Sequence, residues 1–204
     1  MNLQLNWLEV TGVITGFICV YLNTRENIWG WPIGIISVFC YIFVFYDAKL
    51  YADMALQVIY VVLGFYGWHQ WLYGGEAKKN LKVSAIRQKE LLLLLVLGVV
   101  ATAVTFYFLQ KFTDASLPFW DSLTTVFSLA GQYLLARKVL ENWLFWIFVD
   151  VIYVFVYFHK ELYFTSLLYF GFLVLATIGY FGWRKSLLRS AGQTFLVKND
   201  LYTR

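Results

Sequence analysis

The chain has 204 residues, 61% of them hydrophobic and only 14% charged, with a formal net charge of +4 and a mean hydropathy of +0.65. Those proportions exclude an ordinary soluble domain. The surplus Lys and Arg gather at the ends of apolar runs rather than in a solvated patch, which argues for a bilayer and against nucleic acid as partner.

Runs of the length that crosses a hydrocarbon core, about 17–25 residues, recur along the chain and predict seven transmembrane helices. No basic n-region precedes the first, so it is expected to be retained and not removed as a signal peptide. It covers about Trp7 to Leu22 and closes in Tyr21-Leu-Asn-Thr-Arg25-Glu26-Asn27. The second opens at Trp29-Gly-Trp31-Pro32 and reaches about Tyr46, with Pro32 in the first turn, where its missing N–H costs no helix bond. After Asp47-Ala-Lys49, a third from about Leu50 to Tyr73 carries Asp53, Gln57, Tyr60 and Gly64 at helical spacing. Composition then turns hydrophilic from Gly74 to Glu90, with Lys78, Lys79, Lys82, Arg87 and Lys89. The fourth span, about Leu91 to Phe108, has only Thr102 and Thr105 as polar residues and reads as a connector. The fifth, about Phe119 to Leu135, sets Asp121, Thr124, Thr125, Ser128 and Gln132 on one stripe. The sixth runs through Trp143 to about Phe158; the seventh, Tyr163 to Trp183, leads into a basic tail ending at Lys198 and Arg204.

The sixth span holds the acid placed deepest in the membrane. At about 100° per residue, Trp143, Trp146, Asp150 and Tyr153 share one face. A carboxylate at mid-bilayer costs roughly 2.5–3.5 kcal/mol on insertion scales, so Asp150 should face a cavity or a partner. Aromatic rings with a negative counter-charge suit a flat organic cation. The alternative is a neutral, hydrogen-bonded residue that packs helices. Trp7, Trp29, Trp68, Trp71 and Trp183, near span ends, are expected to be interfacial anchors. His69 is expected to be interfacial too, and Cys19 and Cys40 to be inert packing residues; no metal or cofactor motif is present. Gly64, Gly67, Gly131 and Gly179 are candidate close-approach or hinge points.

The two halves repeat. Tyr21-Leu-x-x-Arg25 returns as Tyr133-Leu-x-x-Arg137, and Lys49-Leu50-Tyr51 as Glu161-Leu162-Tyr163. Glu26-Asn27-x-x-x-Trp31 matches Glu141-Asn142-x-x-x-Trp146, and Gly64-Phe-Tyr-Gly67-Trp68 matches Gly179-Tyr-Phe-Gly182-Trp183, with small insertions between blocks. The expected fold is therefore an all-α polytopic membrane protein in a 3+1+3 parallel-repeat arrangement. Its units are residues 1–73 (first repeat), 74–118 (basic linker and connector helix), 119–183 (second repeat) and 184–204 (basic tail). Of the 16 Lys and Arg, three lie on the N-terminal side of the spans and 13 on the other. That asymmetry places the N-terminus outside and the C-terminus in the cytoplasm, with Asp53 and Asp121 toward the outer mouth.

Several motifs resemble the Pnu family of bacterial vitamin transporters, which includes nicotinamide riboside carriers of PnuC type and thiamine carriers of PnuT type. They are Glu26-Asn-Ile-Trp-Gly-Trp-Pro32, Ala48-Lys-Leu-Tyr-Ala-Asp53 leading to Gln57 and Tyr66-Gly-Trp68, and Ala136-Arg-Lys138 leading to Glu141-Asn-Trp143. Trp143, Trp146, Asp150 and Tyr153 are similar to the family's substrate-binding helix. The resemblance implies a fold like the SWEET sugar facilitators with different connections, one mid-membrane site, an inner-membrane location, and facilitated diffusion drawn by cytoplasmic phosphorylation of the vitamin. Related transporters are often trimeric. Gln57, Tyr60, Thr124, Ser128 and Gln132 are candidates to bond ribose hydroxyls or an aminopyrimidine. Nicotinamide riboside and thiamine both carry a fixed ring cation, so both remain open. A SWEET-type sugar facilitator would not need Asp150, and an intramembrane enzyme would need a nucleophile or metal cluster that the sequence lacks.

Overall fold

The computed structural model describes residues 7–47, 51–75, 77, 79–113 and 116–202, and the side chains of all these except 51–53, 164, 191 and 193–202. Ala48, Lys49, Leu50, Lys78 and Arg204, with the side chains of Tyr51, Asp53 and Lys198, lie outside the described residues. Seven helices follow one another: α1 (Trp7–Thr24), α2 (Gly30–Asp47), α3 (Tyr51–Tyr73), α4 (Gln88–Phe112), α5 (Pro118–Ala136), α6 (Asn142–His159) and α7 (Tyr163–Tyr202). Five of them (α1, α2, α4, α6 and α7) are long and apolar enough to cross a membrane by composition alone. The other two, α3 and α5, carry the polar stripes turned inward. Large apolar side chains such as Leu92, Val96 and Val99 cover the outside of α4, as a lipid-facing surface requires.

One expectation changes here. The seventh helix does not stop at Trp183 but runs without a break to Tyr202, through the segment read as a tail. The hydrophilic linker is hydrogen-bonded to the loop that follows α5. Ser84 N–H donates to Lys138 O at 3.1 Å and Ser84 O accepts from Leu140 N–H at 2.8 Å, forming an isolated parallel bridge beside Val139. Val83 is buried there, while Lys79, Lys82, Arg87 and Lys89 stay exposed.

The triplets α1–α3 and α5–α7 correspond at one fixed spacing. Gly30 and Asp47 bound α2 as Asn142 and His159 bound α6, 112 positions on, and Thr24 ends α1 as Ala136 ends α5. Both exits use the same Schellman turn. Asn27 N–H reaches Leu22 O (2.9 Å) and Glu26 N–H reaches Asn23 O (3.1 Å); Val139 N–H reaches Leu134 O (3.0 Å) and Lys138 N–H reaches Leu135 O (2.9 Å). Glu26 and Lys138 take the left-handed position, at φ 56° and 55°.

This spacing corrects half of the repeat alignment read from the sequence. Trp31 is the mate of Trp143 and not of Trp146, and Gly67 is the mate of Gly179. Contacts confirm it: a Cβ at Gly67 would overlap the Trp31 ring, and one at Gly179 would lie 2.6 Å from the Trp143 ring. Trp31 meets Trp71 edge-on at 5.5 Å and 82°, and Trp143 meets Trp183 at 5.4 Å and 87°. A three-residue slip turns a helix by 300°, leaving the same face within about 60°, so a chance motif match stays nearly in phase.

Because Gly179 is where an indole lies against helix backbone, Gly179→Val should force the Trp143 ring aside and lower stability by about 1–3 kcal/mol. Gly192→Ala, where an added Cβ meets nothing within 4 Å, should leave it unchanged. Thermal melting of the detergent-solubilised protein compares the two.

Candidate functional site

Between the triplets lies a cavity of about 480 Å³, walled by α1, α2, α3, α5, α6 and α7 and by no described residue of α4. The volume falls in the range typical of small-molecule sites. α6 crosses it with Trp143, Trp146, Asp150 and Tyr153 on the wall, as their shared face requires. From Trp143 to Asp150 the helix rises roughly 10 Å, which spreads the four side chains over the cavity's depth. Gln57 and Tyr60 of α3 and Ser128 and Gln132 of α5 line it as well. Tyr60 shares a side-chain hydrogen bond with Ser128.

Asp150 is the only charged side chain on the described wall. It is 5% exposed, and no cation pairs with it among the described residues. Beside it, Tyr153 packs on Tyr169 at 4.5 Å, and Tyr157 stacks on Tyr169 at 5.3 Å and 11°. The result is a carboxylate in an aromatic setting, with hydroxyl and amide groups on the facing helices.

Thr124 departs from expectation. Although 1% exposed, it stands off the cavity wall with its hydroxyl returned to the carbonyls of Trp120 (2.8 Å) and Asp121 (3.2 Å). It is a partner of the Tyr153 hydroxyl, so it positions that ring.

The first triplet contributes wall residues that sequence reasoning missed, above all Asn23, Trp31 and Tyr41. The correct register would have found two of them, since Trp31 is the mate of Trp143 and Tyr41 the mate of Tyr153 at the 112-residue spacing.

At the end where α1 and α5 finish, the cavity closes on a layer of tryptophans, and here the anchor expectation fails for two residues. Trp71 (3% exposed) and Trp183 (0%) are core residues, whereas Trp7 (77%) and Trp29 (64%) are exposed as anchors should be. Trp68 is partly buried against the same core. The burial of Trp71 and Trp183 has a polar cause. Trp71 Nε1–H donates to Leu135 O at 3.0 Å and Trp183 Nε1–H to Asn23 O at 2.9 Å, so the last helix of each triplet bonds to the end of the other triplet's first helix. Leu135 and Asn23 are themselves repeat mates. Beside this layer Lys138 Nζ pairs with Glu26 Oε2 at 3.0 Å, donates to Leu81 O at 3.0 Å and lies 4.7 Å from the Trp71 ring centroid. Glu141 Oε2 accepts from Ile86 N–H at 3.0 Å, tying down the linker.

The family described as "Nicotinamide mononucleotide transporter" matches residues 6–185. The chain is 28% identical to the nicotinamide riboside transporter PnuC of Escherichia coli (strain K12) over 208 residues, covering 90% of this chain and 87% of that one. It is 28% identical to the riboflavin/roseoflavin transporter RibM of Streptomyces davaonensis over 177 residues, with 83% and 81% covered. The crystal structure of the vitamin B3 transporter PnuC superposes with a TM-score of 0.71 at 29% identity, covering 90% of this chain and 83% of that one.

Lys138 joins both triplets and the linker through one ammonium group. Glu26→Gln and Lys138→Met should each lower the melting temperature, and a double-mutant cycle should return a coupling of about 1 kcal/mol. Lys138→Met should cost the more of the two, because it also leaves Leu81 O without its donor.

Proposed function

Because this chain belongs to the nicotinamide mononucleotide transporter family, we propose that it carries a vitamin precursor with a fixed ring cation, nicotinamide riboside first and thiamine second. The observation that carries this reading is Asp150: a buried, unpaired carboxylate beside Trp146 on the wall of a cavity of fitting size. A ring cation supplies the missing charge, and an indole face adds about 0.5–2 kcal/mol. The described wall offers no Lys or Arg, so the phosphate of a mononucleotide would have no counter-charge; this favours the riboside. Gln57, Tyr60, Ser128 and Gln132 are placed to bond ribose hydroxyls. A neutral ring system such as riboflavin's would leave Asp150 unused.

In this reading the N-terminus is outside a bacterial inner membrane, and the tryptophan layer and basic linker face the cytoplasm. Rocking of the two three-helix units about the central site exposes it to each side in turn. Transport is downhill, and phosphorylation of the vitamin in the cytoplasm keeps the gradient inward.

Binding of nicotinamide riboside, thiamine and riboflavin to the purified protein, followed by tryptophan quenching, tests the assignment. Nicotinamide riboside should bind most tightly, and Asp150→Asn should weaken it roughly 10- to 100-fold, the worth of a charge-assisted contact. Thiamine alone binding would change the substrate but keep the site. Failure of all three to bind would refute the reading.

A further inference from the structure

Two seams join the triplets, α1 against α7 and α3 against α5. On the second, α4 packs against α5; along the first lies an open groove of about 610 Å³, lined by α1 and α7 alone. Phe17, Ile18 and Tyr21 form one wall and Leu167, Gly171 and Val174 the other, apolar up to the Tyr21 hydroxyl. Gly171 deepens it. A Cβ there would lie 2.9 Å from the Phe17 ring, so bare backbone leaves a furrow where a side chain would stand. Phe17 in turn stacks on Phe172 at 4.5 Å and 22°, and Phe172 lines the central cavity, so this pair stands between groove and cavity.

One end of the groove is cationic. Arg25, one turn beyond Tyr21, holds its guanidinium 5.6 Å from the Tyr21 ring centroid. Gly182 is level with Thr24, since a Cβ on it would lie 3.4 Å from Thr24 O, so α7 continues past the same end. There Lys185 follows Leu167 by 18 residues, about five turns, which returns it to the groove's face, and Arg189 lies one turn further. All three are exposed, and none forms an ion pair among the described residues. The chain has little to offer them. Of the described acids at this end, Glu26 is taken by Lys138 and Glu141 by Ile86 N–H, which leaves Glu90 on α4, a helix packed against α5.

We propose that this groove binds an anionic phospholipid, with one acyl chain laid between α1 and α7 and the phosphate held by Arg25, Lys185 and Arg189. The lengths agree. Phe17 to Arg25 is about 12 Å of helix, close to the roughly 15 Å of hydrocarbon in one leaflet. Guanidinium forks suit phosphate oxygens, and the ammonium adds a point charge. A second copy of the chain would bring the same surplus of cations to the same end, which favours lipid over protein as the occupant. A chain laid across the seam braces the contact between the triplets.

The full-length protein in neutral detergent, titrated with dioleoylphosphatidylglycerol or dioleoylphosphatidylcholine and followed by native mass spectrometry and thermal melting, tests the site. The two lipids share their chains and differ in head-group charge. Phosphatidylglycerol should stay bound at one lipid per chain and raise the melting temperature, phosphatidylcholine should bind about tenfold more weakly, and inorganic phosphate should not reproduce the shift. Arg25→Gln combined with Lys185→Gln should weaken phosphatidylglycerol about 10- to 30-fold. The matched pair Lys79→Gln and Lys82→Gln, on the exposed linker, should leave it within about twofold. Val174→Trp fills the groove from an exposed position without altering charge, and should cost about tenfold. Equal affinity for the two lipids would overturn the proposal, a comparison that needs no variant to fold. An equal loss in the linker pair, a full shift with phosphate alone, or unchanged binding in Val174→Trp would overturn it too. A changed oligomeric state in Val174→Trp without loss of lipid would assign the groove to a second copy instead.

Discussion

The structure depends on a reciprocal exchange of hydrogen bonds. Trp71, at the end of α3, donates to the carbonyl that ends α5, and Trp183, on α7, donates to the carbonyl near the end of α1. The last carbonyls of a helix have no partner within it, and in a membrane they cannot turn to water. Asn23 O and Leu135 O each accept one bond from their own turn, from Glu26 N–H and Lys138 N–H, and the indole of the other triplet fills the remaining lone pair. An indole can do this because it carries its donor on a large apolar body that also fills the interface. The glycines at 67 and 179 follow from the same arrangement, since Trp31 and Trp143, the edge-on partners of those indoles, need bare backbone to lie against.

A symmetric scaffold has been given an asymmetric site. At the 112-residue spacing, Asp150 answers to Val38, Trp146 to Gly34, Gln132 to Val20 and Ser128 to Gly16. Repeat 2 thus holds the charge, while repeat 1 offers aliphatic or absent side chains at the mates of these four positions and sets its own Trp31, Gln57 and Tyr60 on the wall elsewhere. Room for a ligand arises where the first repeat withdraws bulk opposite the second. The two sides of the cavity therefore differ, as those of a fully symmetric cavity could not.

Much of this was legible in the residues. Asp150, Trp146, Tyr153, Gln57 and Ser128 declared themselves because a polar group inside an apolar span is costly unless it faces a cavity or partner, so spacing located their part of the wall. Trp71 and Trp183 did not, because tryptophan is equally at home at a lipid interface and in a dry core, and what decides is a carbonyl more than 60 residues away. Asn23 lay hidden for a similar reason, at a helix end where Asn ordinarily serves the local turn. The slip in register came from the helix itself, whose three- and four-residue neighbours share a face.

Glu26 and Lys138 occupy the same place in their respective repeats, at the left-handed residue of the same turn, and they touch. Two identical chains packed about a true two-fold axis would have to set like against like there, Glu facing Glu or Lys facing Lys. Complementary charge across such an axis requires two halves of different sequence, as this chain has. The ion pair is therefore a mark of divergence between the halves: neither repeat paired with a second copy of itself could reproduce it.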